Sequence, residues 1–283
     1  MTSTAGGVER RLGIAALIMT GGVLLSRLTG HLREVLIVAL HGAGRTTDVY
    51  YAAFTIPDLL NYLLAGGALS IAFLPIFSEY LATGREEEGW RVFSVIATTM
   101  TSLLLLLVVA GEVFAPWLAP LVAPGFDAAQ TAELVRLTRI VMPAQLAFYF
   151  GGLIQATLYA RERFLAPALA PLVYNLVTLA GGLLLRHRGV EGFAWGVLVG
   201  AFLGPLLVPL LAARGALRYR PAFSLRHPGL VRFVLLSLPL MLGVSLLTVD
   251  QWISRWFASS MTATITHLEN ARRLMQVPTA VFG

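Results

Sequence analysis

Arg27, Arg33 and Glu34 stand inside the first long apolar run of the sequence, from about Leu12 to Leu40, where hydrocarbon gives a charge no solvation. On insertion scales an arginine at mid-bilayer costs ~2.5–3.5 kcal/mol, so such residues face a bundle interior or a wet cavity. In a helix, Arg27 and Glu34 are seven residues apart and share a face, separated by about 10.5 Å along the axis. Arg33 lies about 120° round from Arg27. Arginine keeps its charge, and its planar fork holds phosphate oxygens two at a time. The pattern therefore suits a cationic cavity for an anionic ligand. Snorkelling of Arg27 and pairing of Arg33 with an acid on a neighbouring helix are the packing alternatives.

Other polar residues in apolar surroundings extend this set. Gly42-Ala43-Gly44 and Thr46-Thr47-Asp48 read as the end of one helix and the cap of the next, with Asp48 alternatively a cavity carboxylate. The second run is interrupted by Pro57-Asp58, Asn61 and Gly66-Gly67, and broken helices at membrane depth commonly line binding sites. Near the end, Arg272 and Arg273 are adjacent and so point about 100° apart. One is expected to face the cavity and the other to pair elsewhere, with Glu269 within reach. Asp250 and Arg255 are expected to pair with each other or with the first helix. Glu112 and Arg139 fall near span ends and read as interfacial. No Ser/His/Asp grouping, Walker loop, HExxH or acidic metal motif is present. The five histidines lack metal-ligand spacing, and without cysteine there is neither a disulfide framework nor a thiol nucleophile.

The elements that must position these groups are transmembrane helices. Of 283 residues, 57% are hydrophobic and 13% charged, against roughly 25% charged in soluble domains. Apolar runs give eight spans, near 12–40, 49–77, 92–118, 134–159, 165–185, 192–212, 230–257 and 265–283, each long enough for ~30 Å of hydrocarbon. Arg10 and Arg11 precede the first run as in a signal sequence, but no cleavage site closes it, so it reads as a retained helix. All 21 basic residues are arginine. Those in the connections or at the span ends beside them divide eleven to four between alternate sides, which puts the N-terminus in the cytoplasm. Because these arginines sit in short loops, the net charge of +6 does not suggest nucleic acid.

The basic, proline-containing stretch 216–229 reads as a cytoplasmic linker at the solvent or the headgroups. It divides a six-helix lobe, 1–215, from two helices in 230–283. The order Arg33, Asp48, Pro57 has a counterpart in Arg255, Glu269, Pro278, with the acid-to-proline gap nine residues in both. Parallel repeats separated by six helices would give this orientation. The last span runs to Gly283 with no polar flank. Together these suggest a second lobe of which only the beginning is present.

Ser26-Arg27-Leu28-Thr29-Gly30-His31-Leu32-Arg33-Glu34, then Gly42-Ala43-Gly44 and Thr47-Asp48, resembles the start of the MurJ/MviN lipid II flippases. So do Ile56-Pro57-Asp58-Leu59-Leu60, Gly67-Ala68-Leu69-Ser70, Ala72-Phe73-Leu74-Pro75, Ala123-Pro124-Gly125-Phe126 and Arg272-Arg273-Leu274-Met275-Gln276-Val277-Pro278. The resemblance covers nearly the whole chain and is most specific in its first eighty residues. It implies an all-α, polytopic bundle of the MOP exporter superfamily, with a V-shaped cavity between two lobes. About eight of an expected fourteen helices would be present. It further implies a multi-pass protein of the bacterial inner membrane that is not an enzyme and uses no cofactor. The implied substrate is lipid II, an undecaprenyl diphosphate carrying a disaccharide-pentapeptide, which is moved to the periplasmic leaflet by alternating access. Membrane lipids, and a membrane potential or monovalent-ion gradient, would be the other partners.

Residue by residue, the resemblance makes Arg27, Arg33 and Arg273 the cavity cations for the diphosphate, with Glu34 and Asp48 as nearby acids. The sequence departs from the family pattern in helix two, where Asn61 and Tyr62 follow the Pro-Asp-Leu-Leu run in place of arginine and Ala65-Gly66-Gly67 replaces Ala-Glu-Gly. Arg272 also stands where an acid is usual. Asn61 thus occupies a substrate-facing position without its charge. These changes leave open an exporter of another polyprenyl-diphosphate-linked glycan, or a multidrug exporter of the same superfamily. A non-transporting membrane scaffold and a membrane enzyme acting on polyprenyl diphosphates are further alternatives.

Overall fold

The computed structural model describes residues 3–64 and 72–282. The described residues form helices joined by turns, with no strand among them. Among the described residues, four stretches are long and apolar enough to cross a membrane on those grounds alone: Glu86–Val122, Ala128–Ala160, Leu165–Leu184 and Glu191–Ala212. Large side chains such as Leu106, Trp117, Leu184, Leu235 and Phe257 remain well exposed. Exposed apolar faces of this extent suit hydrocarbon rather than water.

Helices occupy all eight expected spans, but several spans are not single rods. The first is α1, Ser3–His41. It ends at Gly42, whose φ of +74° is the left-handed conformation that closes helices. The second expected span is divided into α2 (Arg45–Ala52), α3 (Thr55–Leu64) and α4 (Leu74–Ala82). Pro57 lies within the first turn of α3, where its missing N–H has no intrahelical partner to lose. The expected interruption at Gly66-Gly67 lies outside the described residues. The third span, α5 (Glu86–Val122), is followed by α6 (Ala128–Val141) and α7 (Ala144–Ala160), which break at Pro143. Next come α8 (Leu165–Leu184) and α9 (Glu191–Ala201). A π-helical turn at Phe202–Leu207, around Pro205, leads into α10 (Val208–Ala212). The last two helices are α11 (Pro228–Ala258) and α12 (Thr264–Phe282).

Helices α8 and α9 cross with their backbones in close approach. A methyl group at Gly181 would lie 2.5 Å from the Gly196 Cα and 2.9 Å from the Gly192 carbonyl. Small residues let helix backbones approach this closely in a membrane. Because the obstruction is backbone, no side chain can move aside. Gly181→Ala is expected to destabilise the protein by about 1–3 kcal/mol, as overpacking does. A thermal melt in detergent that matches wild type would refute this close packing.

The stretch before α11 is more ordered than a solvated linker requires. The backbone N–H groups of Arg220, Ala222 and Ser224 donate to the hydroxyls of Ser94, Thr98 and Thr99 on α5, at 3.1, 3.1 and 3.3 Å. Tyr219 packs edge-on against Phe93 and Phe150. The row of α5 hydroxyls gives an extended strap the partners that water would otherwise supply. Beyond it, Arg232 of α11 reaches Glu79 of α4 at 2.8 Å. That hydrogen bond and the arginine's charge hold the Glu79 carboxyl below the usual carboxylate range.

Candidate functional site

Helix α1 carries Arg33 and Glu34 to a cavity of about 340 Å³, whose other walls come from α2, α3, α8, α9, α11 and α12. Arg33 holds its own neighbour, with Nη2 and Nε 2.8 and 2.9 Å from Glu34 Oε1. Arg273 on α12 reaches the same oxygen with Nη1, also at 2.8 Å. The Tyr51 hydroxyl donates to Glu34 Oε2 at 2.9 Å. One buried carboxylate thus joins two guanidinium groups from helices at opposite ends of the sequence. Among the described residues, the buried Arg273 Nε has no hydrogen-bond partner.

Asn175 of α8 fixes the direction of Arg33. Its Oδ1 accepts from Arg33 Nη1 at 3.2 Å, while its Nδ2 donates to the Ser26 carbonyl at 2.9 Å. Gly30 lies directly against this amide. The Arg33 guanidinium also lies over the Tyr174 ring, 5.7 Å from its centroid, a favourable cation–π arrangement. Sequence reading missed Asn175, because an isolated asparagine in an apolar run carries no spacing signal.

A second charged group closes the cavity from the side of α11. Arg255 donates through Nε and Nη2 to Glu269 Oε1, at 3.0 and 2.8 Å, and through Nη1 to Thr55 Oγ1, at 2.9 Å. The expected pairing of Asp250 with Arg255 or with α1 is not found among the described residues. Asp250 lies 3.5 Å from Arg272. Asp250 is five residues before Arg255 and so points to a different face of the helix. Arg272 and Arg273 divide their work as their geometry demands, the former toward Asp250 and Glu269, the latter toward Glu34. Both line the cavity. Arg139 donates to the Glu112 backbone carbonyl at 2.9 Å, in an exposed position away from this site.

Asp48 does not line the cavity of Arg33 and Arg273; it borders a separate small cavity with Arg45 and Asp127. Its Oδ1 accepts from the backbone N–H and the hydroxyl of Thr266, at 2.8 and 2.6 Å. It therefore caps α12 from across the fold rather than its own helix. The cap of α2 is Gly44, whose N–H donates to Thr47 Oγ1 at 2.9 Å. Thr47 and Thr266 meet hydroxyl to hydroxyl at 3.0 Å. The parallel seen between Arg33-Asp48 and Arg255-Glu269 does not extend to pairing, since the second pair bonds directly and the first does not. Asp48→Ala leaves the buried Thr266 N–H unsatisfied, while the Thr266 hydroxyl can still donate to Thr47, and is expected to cost about 1–3 kcal/mol. Asp48→Asn, which keeps the acceptor oxygen, should recover most of that loss. Equal melts for wild type and Asp48→Ala would overturn the cap.

The remaining expected residues lie apart from the arginine pair. Arg27 is exposed and lines a separate cavity between α1, α7 and α8, with Ser26, Gln155 and Tyr159. It precedes Arg33 by six residues, which puts it about 9 Å along the axis and on another face. Asn61 faces a smaller adjoining chamber, where its Nδ2 donates to Gln145 Oε1 at 2.8 Å. Asp58, singled out in the sequence only as part of a helix break, lines both spaces. No group of three metal-ligating side chains occurs among the described residues.

Chemically, the main cavity sets Arg33, Arg255, Arg272 and Arg273 against Glu34, Asp58 and Glu269. Four positive charges less three negative leave one net positive. Such a site attracts an anion without holding it irreversibly, because internal carboxylates compete for the same donors.

The family model described as "Lipid II flippase MurJ" matches residues 37–283. The chain is 32% identical over 285 residues to the lipid II flippase MurJ of Burkholderia cenocepacia, covering 95% of this chain and 54% of the relative. It is 29% identical over 276 residues to the probable lipid II flippase MurJ of Rhizobium tropici, covering 94% and 52%. The chain thus spans about half the length of these curated relatives. A solved lipid II flippase MurJ in an inward closed conformation superposes with a TM-score of 0.79 at 22% identity, over 94% of this chain and 56% of that one. A MATE crystal structure in complex with MaD3S gives 0.65 at 17%, over 95% and 61%. At such identities the likeness is one of fold.

Proposed function

The chain belongs to the lipid II flippase MurJ family, and from that premise we propose that it acts in flipping lipid II across the bacterial inner membrane, as a transporter rather than an enzyme. The observation that carries this reading is the meeting of Arg33 and Arg273 on Glu34, with one buried guanidinium N–H still unpartnered. A diphosphate takes the donors that Glu34 now occupies and adds the free Nε, while the lipid tail stays in the bilayer. Charge-assisted bonds to planar forks suit phosphate oxygens. The cavity's own carboxylates return to the arginines as the anion leaves. Arg27, further back on α1, meets the headgroup before or after that pair rather than together with it. Asn61 contacts the part of the headgroup beyond the phosphates.

The arginine bias between connections supports a cytoplasmic N-terminus. Two lobes, 1–215 and 230–283, joined by 216–229, rock against each other in this mechanism. Contacts that cross between them and must part include Asp48–Thr266, Thr55–Arg255, Gly125–Ser259 and the ion pair of Arg273 with Glu34. Membrane potential or a monovalent ion resets the carrier. Expression of the complete gene in a bacterium depleted of its own lipid II flippase is expected to restore growth. Protein present in the membrane without rescue overturns the reading.

A further inference from the structure

We propose that the chamber beside the arginine pair is a carbohydrate subsite, which takes the sugar bonded directly to the diphosphate. The inference rests on the diphosphate reading above and adds to it the chemistry recognised next to the phosphates. The chamber measures about 260 Å³ and shares Asp58, Tyr62 and Tyr174 with the main cavity. Ligand pockets usually begin near ~300 Å³, so this one takes part of a ligand rather than the whole. Its position is the first argument. Tyr174 forms its wall and also lies under the Arg33 guanidinium. A group covalently attached to a phosphate on Arg33 enters this chamber next.

Its lining is the second argument. Among the described residues no arginine faces it and Asp58 is its one charged residue, so a phosphate is repelled from it while a neutral polyol is not. The bond between Asn61 and Gln145 uses one amide N–H and one carbonyl. That leaves the second N–H and the carbonyl of Asn61, and both N–H groups of Gln145, for a ligand. Among the described residues, the Asp58 carboxylate and the Tyr62 hydroxyl make no hydrogen bond. Sugar hydroxyls both donate and accept, and mixed amide, carboxylate and phenol groups complement them. Phe148 and Tyr174, edge to face with centroids 5.4 Å apart, offer a flat apolar wall for the C–H face of a ring.

The test compares two probes, undecaprenyl diphosphate and lipid II, which share phosphates and tail and differ in the glycopeptide. Binding of each to the complete purified protein is measured for wild type, Asn61→Ala, Gln145→Ala, Tyr62→Phe and Arg273→Ala. The two alanine variants at the amide pair are each expected to weaken lipid II about ten-fold, with undecaprenyl diphosphate unchanged. Tyr62→Phe removes only a hydroxyl, and decides the matter if an amide variant loses its melting transition. Equal losses for both probes, or no loss for lipid II, would overturn the subsite. Arg273→Ala should weaken both probes. A wild-type protein that binds neither sinks the diphosphate reading instead.

Discussion

Arg273→Ala is expected to abolish growth rescue and to weaken binding of undecaprenyl diphosphate by about 10- to 100-fold. The range follows from losing charge-assisted hydrogen bonds, each worth ~1.5–3 kcal/mol. The substitution takes the cavity from one net positive charge to none. It also removes the buried Nε donor, which has no partner among the described residues. What remains is ordered, because Glu34 keeps Arg33 and Tyr51, so α1 and α2 have no reason to rearrange. The expected signature is therefore a binding defect with a nearly unchanged melt. Arg273→Lys should restore charge but not the planar fork, and recover affinity only in part. Full affinity in the alanine variant would remove Arg273 from the site.

The pair at the centre of this argument was legible in the sequence, and the reason is energetic. Arginine inside an apolar run is costly enough to be noticed, and Arg33 and Arg273 do meet. What the sequence did not carry was azimuth and depth. Arg27 looked equivalent to Arg33, yet six residues of helix turn it to a different cavity. Asp48 looked like a local cap or a ligand, and instead caps α12, 218 residues away. Capping signals are local patterns, so a cap supplied by a distant segment leaves no pattern to find. Asn175 was hidden for a related reason. A single polar residue among apolar ones states that it has a partner, but not which.

The broken second span shows the same division between composition and geometry. Proline marked its irregularity, but the boundary between α2 and α3 at Ala53-Phe54 precedes Pro57 rather than falling on it. The break has a use. It brings the Ala53 carbonyl within 3.3 Å of the Thr138 hydroxyl and places Thr55 in reach of Arg255. A continuous helix would have spent both backbone and side chain internally.

That contact of Arg255 with Thr55 leads to the second large effect. Arg255→Ala is expected to destabilise the protein by about 3–5 kcal/mol, the usual result of leaving one member of a buried ion pair alone. Arg255 and Glu269 are 5% and 9% exposed, so water cannot take over. Arg272, 3.8 Å from Glu269, compensates for some of the charge and places the effect toward the lower end. Removing both partners as Arg255→Met with Glu269→Gln should cost much less than the single change, since no buried charge is then stranded. The comparison separates two roles of this pair. If the double variant melts near wild type but fails to rescue growth, the pair matters for the cavity's charge and the tie to Thr55. If single and double variants melt alike, Glu269 was never dependent on Arg255, and the pairing across α11 and α12 is refuted.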